Sequence, residues 1–323
     1  MKGRDSIWTC RAGFEPDLAG ELAEGRVIAP ALVQGQRRPG AFPTFGRQGL
    51  IFAFEAPPTL ESARALVPEL FGAGDEPFAL HVWVPDSDAG NTKNGLAEAF
   101  GKKLRALFGA RPSAERRADK LEPHERLVQV AILDETRAYF GASPVADVPS
   151  RFPGGRARMK LPPGAPSRAT AKLLEAFTWI GVEPGPGEVA VDLGAAPGGW
   201  TFALLERRAR VIAVDRAEMA PNLARHPRLA HVRDNAFAYR PDAPVDWLFC
   251  DMVHRPSEVA KLLARWGREG LAGLVLANLK LPMKKRLSEV ASARRTLEAA
   301  GWKDVRTRQL YHDRDEITLF AHR

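Results

Sequence analysis

The chain has 323 residues, 45% of them hydrophobic, a net charge of +8 and only two cysteines. That length suits two domains with real cores. Cys10 and Cys250 are too few for a disulfide framework or a metal cluster, the seven histidines lack ligand spacing, and no apolar run reaches the roughly 18 residues of a membrane span. These features, with no apolar signal segment at the start, lead us to expect a cytoplasmic protein with no bound metal and no membrane contact. The positive charge suits a polyanionic partner such as nucleic acid, although a soluble protein can be basic without one.

In chain order, Ile7–Cys10 reads as a strand and Glu15–Ala23 as a helix with Leu18 and Leu22 on one face. Gly49–Phe54 reads as a strand, Leu60–Leu70 as a helix and Phe78–Val84 as a strand. Asn94–Phe108 carries the helical apolar set Leu96, Phe100, Leu104 and Leu107. Leu127–Leu133 and Arg137–Phe140 complete this part as a hairpin, giving an α+β region over residues 1–147.

Residues 148–166 hold five prolines and three glycines, a density that forbids a long helix or a central strand. Arg151, Arg156, Arg158, Lys160, Arg168 and Lys172 follow one another from Val148 to Lys172 with no intervening acid. The stretch reads as a connecting arm that could track phosphates, or as a solvated linker.

Residues 167–323 alternate strand and helix. Ser167–Trp179 is a predicted helix with Ser167 as its N-cap, followed by strand Val189–Leu193, helix Trp200–Arg208, and strands Arg210–Val214 and Val245–Cys250. Helix Val259–Trp266, strand Gly273–Leu279, helix Ser288–Ala300 and strands Val305–Gln309 and Glu316–Ala321 close the chain. Such alternation implies a Rossmann-like, doubly wound and mostly parallel α/β sheet, with ligands bound beyond the carboxyl ends of the strands.

The turn after Val189–Leu193 reads Gly194, Ala195, Ala196, Pro197, Gly198, Gly199, Trp200. Small residues here let a ligand approach main-chain N–H groups, but the spacing is not the dinucleotide pattern, so a nucleoside with a smaller charged tail is the better guest. Asp215, at the end of the next strand, is placed to accept from ribose hydroxyls, with a helix cap as the competing role. Asp234 could meet an adenine amino group or simply hold a turn, and Asp251 ends a buried strand at the same mouth. Lys280 ends another apolar strand, where an ammonium is better placed for a site than for solubility, and Lys284, Lys285 and Arg286 follow it as a possible phosphate grip.

Lys172, Asp251, Lys280 and Glu316 form an ordered Lys–Asp–Lys–Glu set. With the run Val191–Trp200 and the triplet Cys250–Met252, this set resembles the FtsJ-like family of S-adenosylmethionine-dependent ribose 2′-O-methyltransferases. The segments Ala165–Arg168, Leu279–Arg286 and Arg308–Arg314 narrow the resemblance to the branch acting on a cytidine of bacterial 23S ribosomal RNA.

The resemblance implies catalysis by the four residues. It implies S-adenosylmethionine bound around Ser167, Gly194–Trp200, Asp215, Asp234 and Asp251. It also implies a THUMP-containing RNA-binding region in the N-terminal part. The partner would be 23S ribosomal RNA or a precursor particle, met by a monomer, with RNA contacts from Arg151, Arg156, Arg158, Lys160, Arg168, Lys284, Lys285 and Arg286.

A 2′-hydroxyl must be oriented and relieved of its proton, and Lys280 is the candidate base or orienter. Lys172 would disfavour the charged form of Lys280, and the two carboxylates would hold the lysines. Cys250 should point away from Asp251 into the core, which argues against attack by a thiol on a base. The reading from another class is a catalytically silent RNA-binding or ribosome-assembly protein.

Overall fold

The computed structural model describes residues 6–72, 76–109 and 115–323, and the chain divides into two compact units, Met1–Ala157 and Arg158–Arg323.

The first unit runs β1 (Ile7–Thr9), α1 (Glu15–Glu21), β2 (Ala23–Ala29), β3 (Leu32–Gln36), β4 (Gln48–Leu50), β5 (Phe54–Ala56), α2 (Leu60–Ala65), α3 (Val67–Phe71), β6 (Phe78–Trp83), α4 (Asp88–Asn91), α5 (Asn94–Phe108), β7 (Arg126–Ile132) and β8 (Ala138–Pro144). It holds two four-stranded sheets, ordered β2-β3-β1-β4 and β5-β8-β7-β6. Helix α5 buries Phe100 and Leu104, while Phe71 packs edge-on against both Phe78 and Phe108.

Three expectations change here. The run 49–54 is two short strands in different sheets, because Phe52 sits at a left-handed φ of 56° and turns the chain between them. The helix expected over 60–70 breaks after Ala65, since Pro68 lacks the N–H that a continuous helix would use. Strand β2 buries no residue fully and carries Glu24 and Arg26, with only the short apolar run 27–29 to announce it.

The stretch 148–166 is not one arm. Residues up to Ala157 belong to the first unit and are tied down there. The Gln48 amide donates to the Ser150 carbonyl at 2.8 Å, and a Cβ on Gly155 would stand 2.3 Å from the Arg47 carbonyl oxygen.

The second unit runs α6 (Ala169–Ile180), β9 (Val189–Leu193), α7 (Gly199–Glu206), β10 (Arg210–Val214), β11 (Leu229–Val232), β12 (Val245–Cys250), α8 (Pro256–Glu269), β13 (Ala272–Lys280), α9 (Arg286–Glu298), β14 (Lys303–Arg308) and β15 (Glu316–His322). Its seven strands are ordered β11-β10-β9-β12-β13-β15-β14. Strands β9 to β13 are parallel, and β15 inserts antiparallel between β13 and β14. This is a Rossmann-like sheet, and its order reverses between β9 and β12, which opens a crevice beyond their carboxyl ends.

Phe249 on β12 anchors the core at the sheet's centre. It is fully buried, stacks on Trp247 and meets Phe177 and Trp200 edge-on. Truncating such a side chain leaves a cavity that its rigid neighbours cannot close. Phe249→Ala should therefore cost about 3–5 kcal/mol in chemical denaturation of this unit, and a loss below about 1 kcal/mol would contradict the assignment of this cluster as the anchor.

Candidate active site

Four parallel strands end at the crevice, three of them in charged residues: β9 runs into Gly194, β10 into Asp215, β12 into Asp251, and β13 ends in Lys280. Strand β15 runs the other way, so its first residue, not its last, arrives at the same edge. The register pairs Lys280 with Glu316 and Asn278 with Thr318. Side chains two apart on a strand share a face, so Lys280 and Asn278 look out on one side, as do Glu316 and Thr318 opposite them. Helix α6 brings Lys172 to this group.

The Lys172 ammonium forms an ion pair and hydrogen bond with Glu316 Oε1 and stands 3.8 Å from Asp251 Oδ1. All three side chains are between 15% and 24% exposed, so the charges meet in a partly desolvated setting. Burial pulls the Lys172 pKa down, but the carboxylates of Asp251 and Glu316 outweigh it and hold the ammonium above its usual range. Burial pushes the Asp251 carboxyl up, against the pull of Lys172, and Glu316 adds to the rise. Lys280 is exposed at the strand end. The geometry thus joins Lys172, Asp251 and Glu316 directly and places Lys280 across from Glu316 on the same sheet face.

Beside this group lies a cleft of about 410 Å³, lined in part by Gly194, Ala196, Asp215, Asp234 and Asp251. Val214, Arg216, Asn235, Ala236, Phe237, Met252 and Val253 complete the lining, and none of these is among the site residues expected from the sequence. Strand β11, which leads into Asp234–Phe237, is short and half exposed, so its apolar signal is weak.

Asp215 accepts from the Ala196 and Ala217 amides at 3.0 and 2.9 Å, which ties the glycine-rich turn to the end of β10. Asp234 accepts from the Asn235 amide at 2.6 Å, a turn-holding bond. Gly194 has φ +76°, and a Cβ there would stand 2.4 Å from Met252 Cγ, so the cleft floor demands glycine.

The remaining residues of the turn also pack against the core. Ala195 and Trp200 are buried in the core, and Trp200 packs edge-on against Phe249. A Cβ on Gly198 would strike Leu223, and one on Gly199 would strike the Ser167 hydroxyl, so these glycines serve close packing. Pro197 also lies outside the lining. Ser167 is not the cap of α6. Arg168 holds that place, and the Ser167 hydroxyl accepts from the Ala169 amide at 3.3 Å while abutting Gly199.

Of the residues expected to touch RNA, Arg151 donates to the Ala118 and Leu121 carbonyls. The Arg156 guanidinium donates to the Val84 and Pro85 carbonyls, pairs with Asp86 and is 9% exposed. Both tie the first unit together, and Arg151 is exposed while doing so. Arg158, Lys160, Arg168, Lys284 and Lys285 are exposed, and Arg286 is half-buried at the start of α9. No described helix is long and apolar enough to cross a membrane.

The donor set suits S-adenosylmethionine. Three carboxylates and one guanidinium line the cleft, favouring a cation. Asp215 can still accept from sugar hydroxyls with its remaining lone pairs. Beneath Gly194 sits Asp192, 1% exposed, whose Oδ2 accepts from Thr201 at 2.7 Å, while Oδ1 makes no hydrogen bond among the described residues.

This sheet and glycine turn, beside a lysine–carboxylate cluster, define a methyltransferase domain, and residues 165–286 match the model of the FtsJ-like methyltransferases. Over its whole length the chain is similar to ribosomal RNA large subunit methyltransferase M of Xylella fastidiosa (strain M12), with 37% identity covering 97% of each chain. The protein of that name from Stenotrophomonas maltophilia (strain R551-3) is 38% identical over 97% of this chain and 95% of its own, and that from Xanthomonas oryzae pv. oryzae (strain KACC10331 / KXO85) is 36% identical over 97% and 98%. The chain belongs to the family of ribosomal RNA large subunit methyltransferase M. It is an S-adenosylmethionine-dependent methyltransferase.

Burial lifts the Asp192 pKa to about 7, against the Thr201 hydrogen bond. A carboxyl raised in the folded state stabilises at low pH, and that contribution is lost as pH climbs from the ordinary carboxylate range through the folded value. Asp192→Asn, which keeps an acceptor for Thr201, should therefore gain about 3 kcal/mol on wild type between pH 5 and pH 8 in denaturant melts of the ligand-free protein. A difference independent of pH would contradict this.

Proposed function

We propose that this protein methylates the ribose 2′-hydroxyl of a cytidine in 23S ribosomal RNA, within the large subunit or its precursor. The observation that carries the reading is the Lys172 ammonium set between Asp251 and Glu316 beside the cleft, with Lys280 across the register from Glu316. The relatives' names speak for a large-subunit ribosomal RNA substrate. The cytidine rests on the sequence resemblance alone.

Bound S-adenosylmethionine supplies an electrophilic methyl group on a sulfonium. The chain's own residues must aim the hydroxyl and take up its proton. Lys172 is unsuited to accept that proton, because two carboxylates hold it as an ammonium. It serves as a fixed positive charge near the developing oxyanion. Lys280 remains, on the same face and open to an incoming ribose, as the base or hydroxyl orienter.

A thiol route to a base is poorly served. Cys250 is fully buried, and burial pushes its thiol up to about 12. Cys10 is buried in the first unit, where burial raises its thiol too.

The first unit fills the role of the RNA-binding, THUMP-like region. The exposed pair Lys284 and Lys285, on the turn after β13, is placed to grip phosphates near the reacting sugar. Their cations follow directly on the strand that presents Lys280.

Lys280→Ala should lower methyl transfer to ribosomal RNA by about 10²–10⁴ while leaving the affinity for S-adenosylmethionine within a small factor of wild type. Turnover with labelled donor and donor titration by calorimetry check the two halves, and unchanged methylation would overturn the assignment. Replacing Lys284 and Lys285 by alanine should weaken RNA binding about equally across sequences. It should also flatten the log–log salt dependence by roughly 0.7–0.9 per lost phosphate contact. A slope identical to wild type would remove the grip.

A further inference from the structure

Behind Asp251 runs a chain of buried polar groups that the methyl-transfer scheme does not use. Asn278 Nδ2 donates to Asp251 Oδ1 at 3.2 Å, and Thr318 Oγ1 lies 2.9 Å from Asn278 Oδ1 and 3.0 Å from Asp313 Oδ2. Asn278, Thr318 and Asp313 are 3%, 1% and 0% exposed, so these contacts are shut off from bulk solvent.

Counting protons fixes the direction of the chain. The Asn278 amide must present its NH₂ to the Asp251 carboxylate, because its oxygen there would set two acceptors against each other. Its oxygen then faces Thr318 and can only accept. The one hydroxyl proton of Thr318 is thereby committed to Asn278. Towards Asp313 the hydroxyl can only accept, so the proton in that contact belongs to the Asp313 carboxyl.

We propose that Asp313 is a neutral acid at working pH, and that through Thr318 and Asn278 it is a positioning residue that keeps the amide's donor face on Asp251. Asp251 is thereby held as the carboxylate that pins Lys172. The opposite arrangement, with the amide turned over and Asp313 ionised, would require the proton on Asp251 and would deprive Lys172 of one of its two partners.

Electrostatics favours the first arrangement. Among the charged groups that act on Asp313 are Glu175 and Lys172 from α6 and Glu316 from β15, with the His312 ring 2.7 Å from Glu175. Asp251 has the Lys172 ammonium 3.8 Å away. Burial and Glu175 push the Asp313 carboxyl well above the carboxylate range, against the donated Leu310 amide. The inference rests on Asp251 lying at the reacting centre.

The test begins with a readout that needs no turnover. Infrared spectra of the protein, with and without ¹³C-carboxyl aspartate, should show at neutral pH an isotope-sensitive carboxylic-acid band that is absent in Asp313→Asn. A wholly ionised Asp313 would overturn the proposal even if methylation is as described. In turn, Thr318→Val should lower kcat about tenfold to a hundredfold, with the KM for RNA and the affinity for S-adenosylmethionine unchanged, and Thr318→Ser should restore kcat. Wild-type kcat in Thr318→Val, or an equal loss in Thr318→Ser, would contradict it. If Thr318→Val does not fold, the infrared band and the Thr318→Ser rate still decide. Protonated Asp313 in a protein that methylates a base would retire the methylation reading and leave the buried proton in place.

Discussion

The Lys172 ammonium between Asp251 and Glu316 is the constraint around which the second unit is arranged. Three charged side chains from three elements meet where solvent only partly reaches them. A pair of charges in such a setting is stable only with good geometry, and removing one partner leaves the others uncompensated. The antiparallel insertion of β15 satisfies that demand. A parallel strand would present its last residue at the carboxyl edge, whereas β15 presents its first, Glu316, in register with Lys280.

The cleft and the charged cluster divide the chemistry between them. The cleft's acidic lining suits a cationic cofactor, and the order reversal between β9 and β12 leaves room for it beyond the strand ends. The cluster holds one ammonium fixed by carboxylates and, across the register from Glu316, one exposed lysine. The two lysines thus differ in environment, which is how a site assigns separate electrostatic and proton-handling roles to one residue type.

Much of this was legible in residues alone. Buried parallel strands are apolar runs, so β9, β10 and β12 stood out at their observed bounds, and a polar residue ending such a run had to lie at the crevice. Helix α5 was visible because its buried face repeats at helical spacing. What stayed hidden lacked a local signature. Strand β2 buries no residue fully, and β11 is short. Asn278 and Thr318 are polar residues inside buried strands, and only the register reveals that they face each other. The packing of Leu223 and Ser167 against Gly198 and Gly199, and the burial of Trp200, likewise carry no mark in the sequence. Arg151 and Arg156 look like an RNA-binding run in one dimension. In three they donate to carbonyls of their own unit.

The most direct test of the account is the position of the transferred methyl. Purified protein, S-adenosylmethionine and unmodified 23S ribosomal RNA would be combined, and the RNA cleaved by mild alkali. A ribose methylated at its 2′-oxygen cannot assist hydrolysis of its own 3′ phosphodiester, so the account predicts one gap in the ladder, at a cytidine. An unbroken ladder with the label on a base would contradict it.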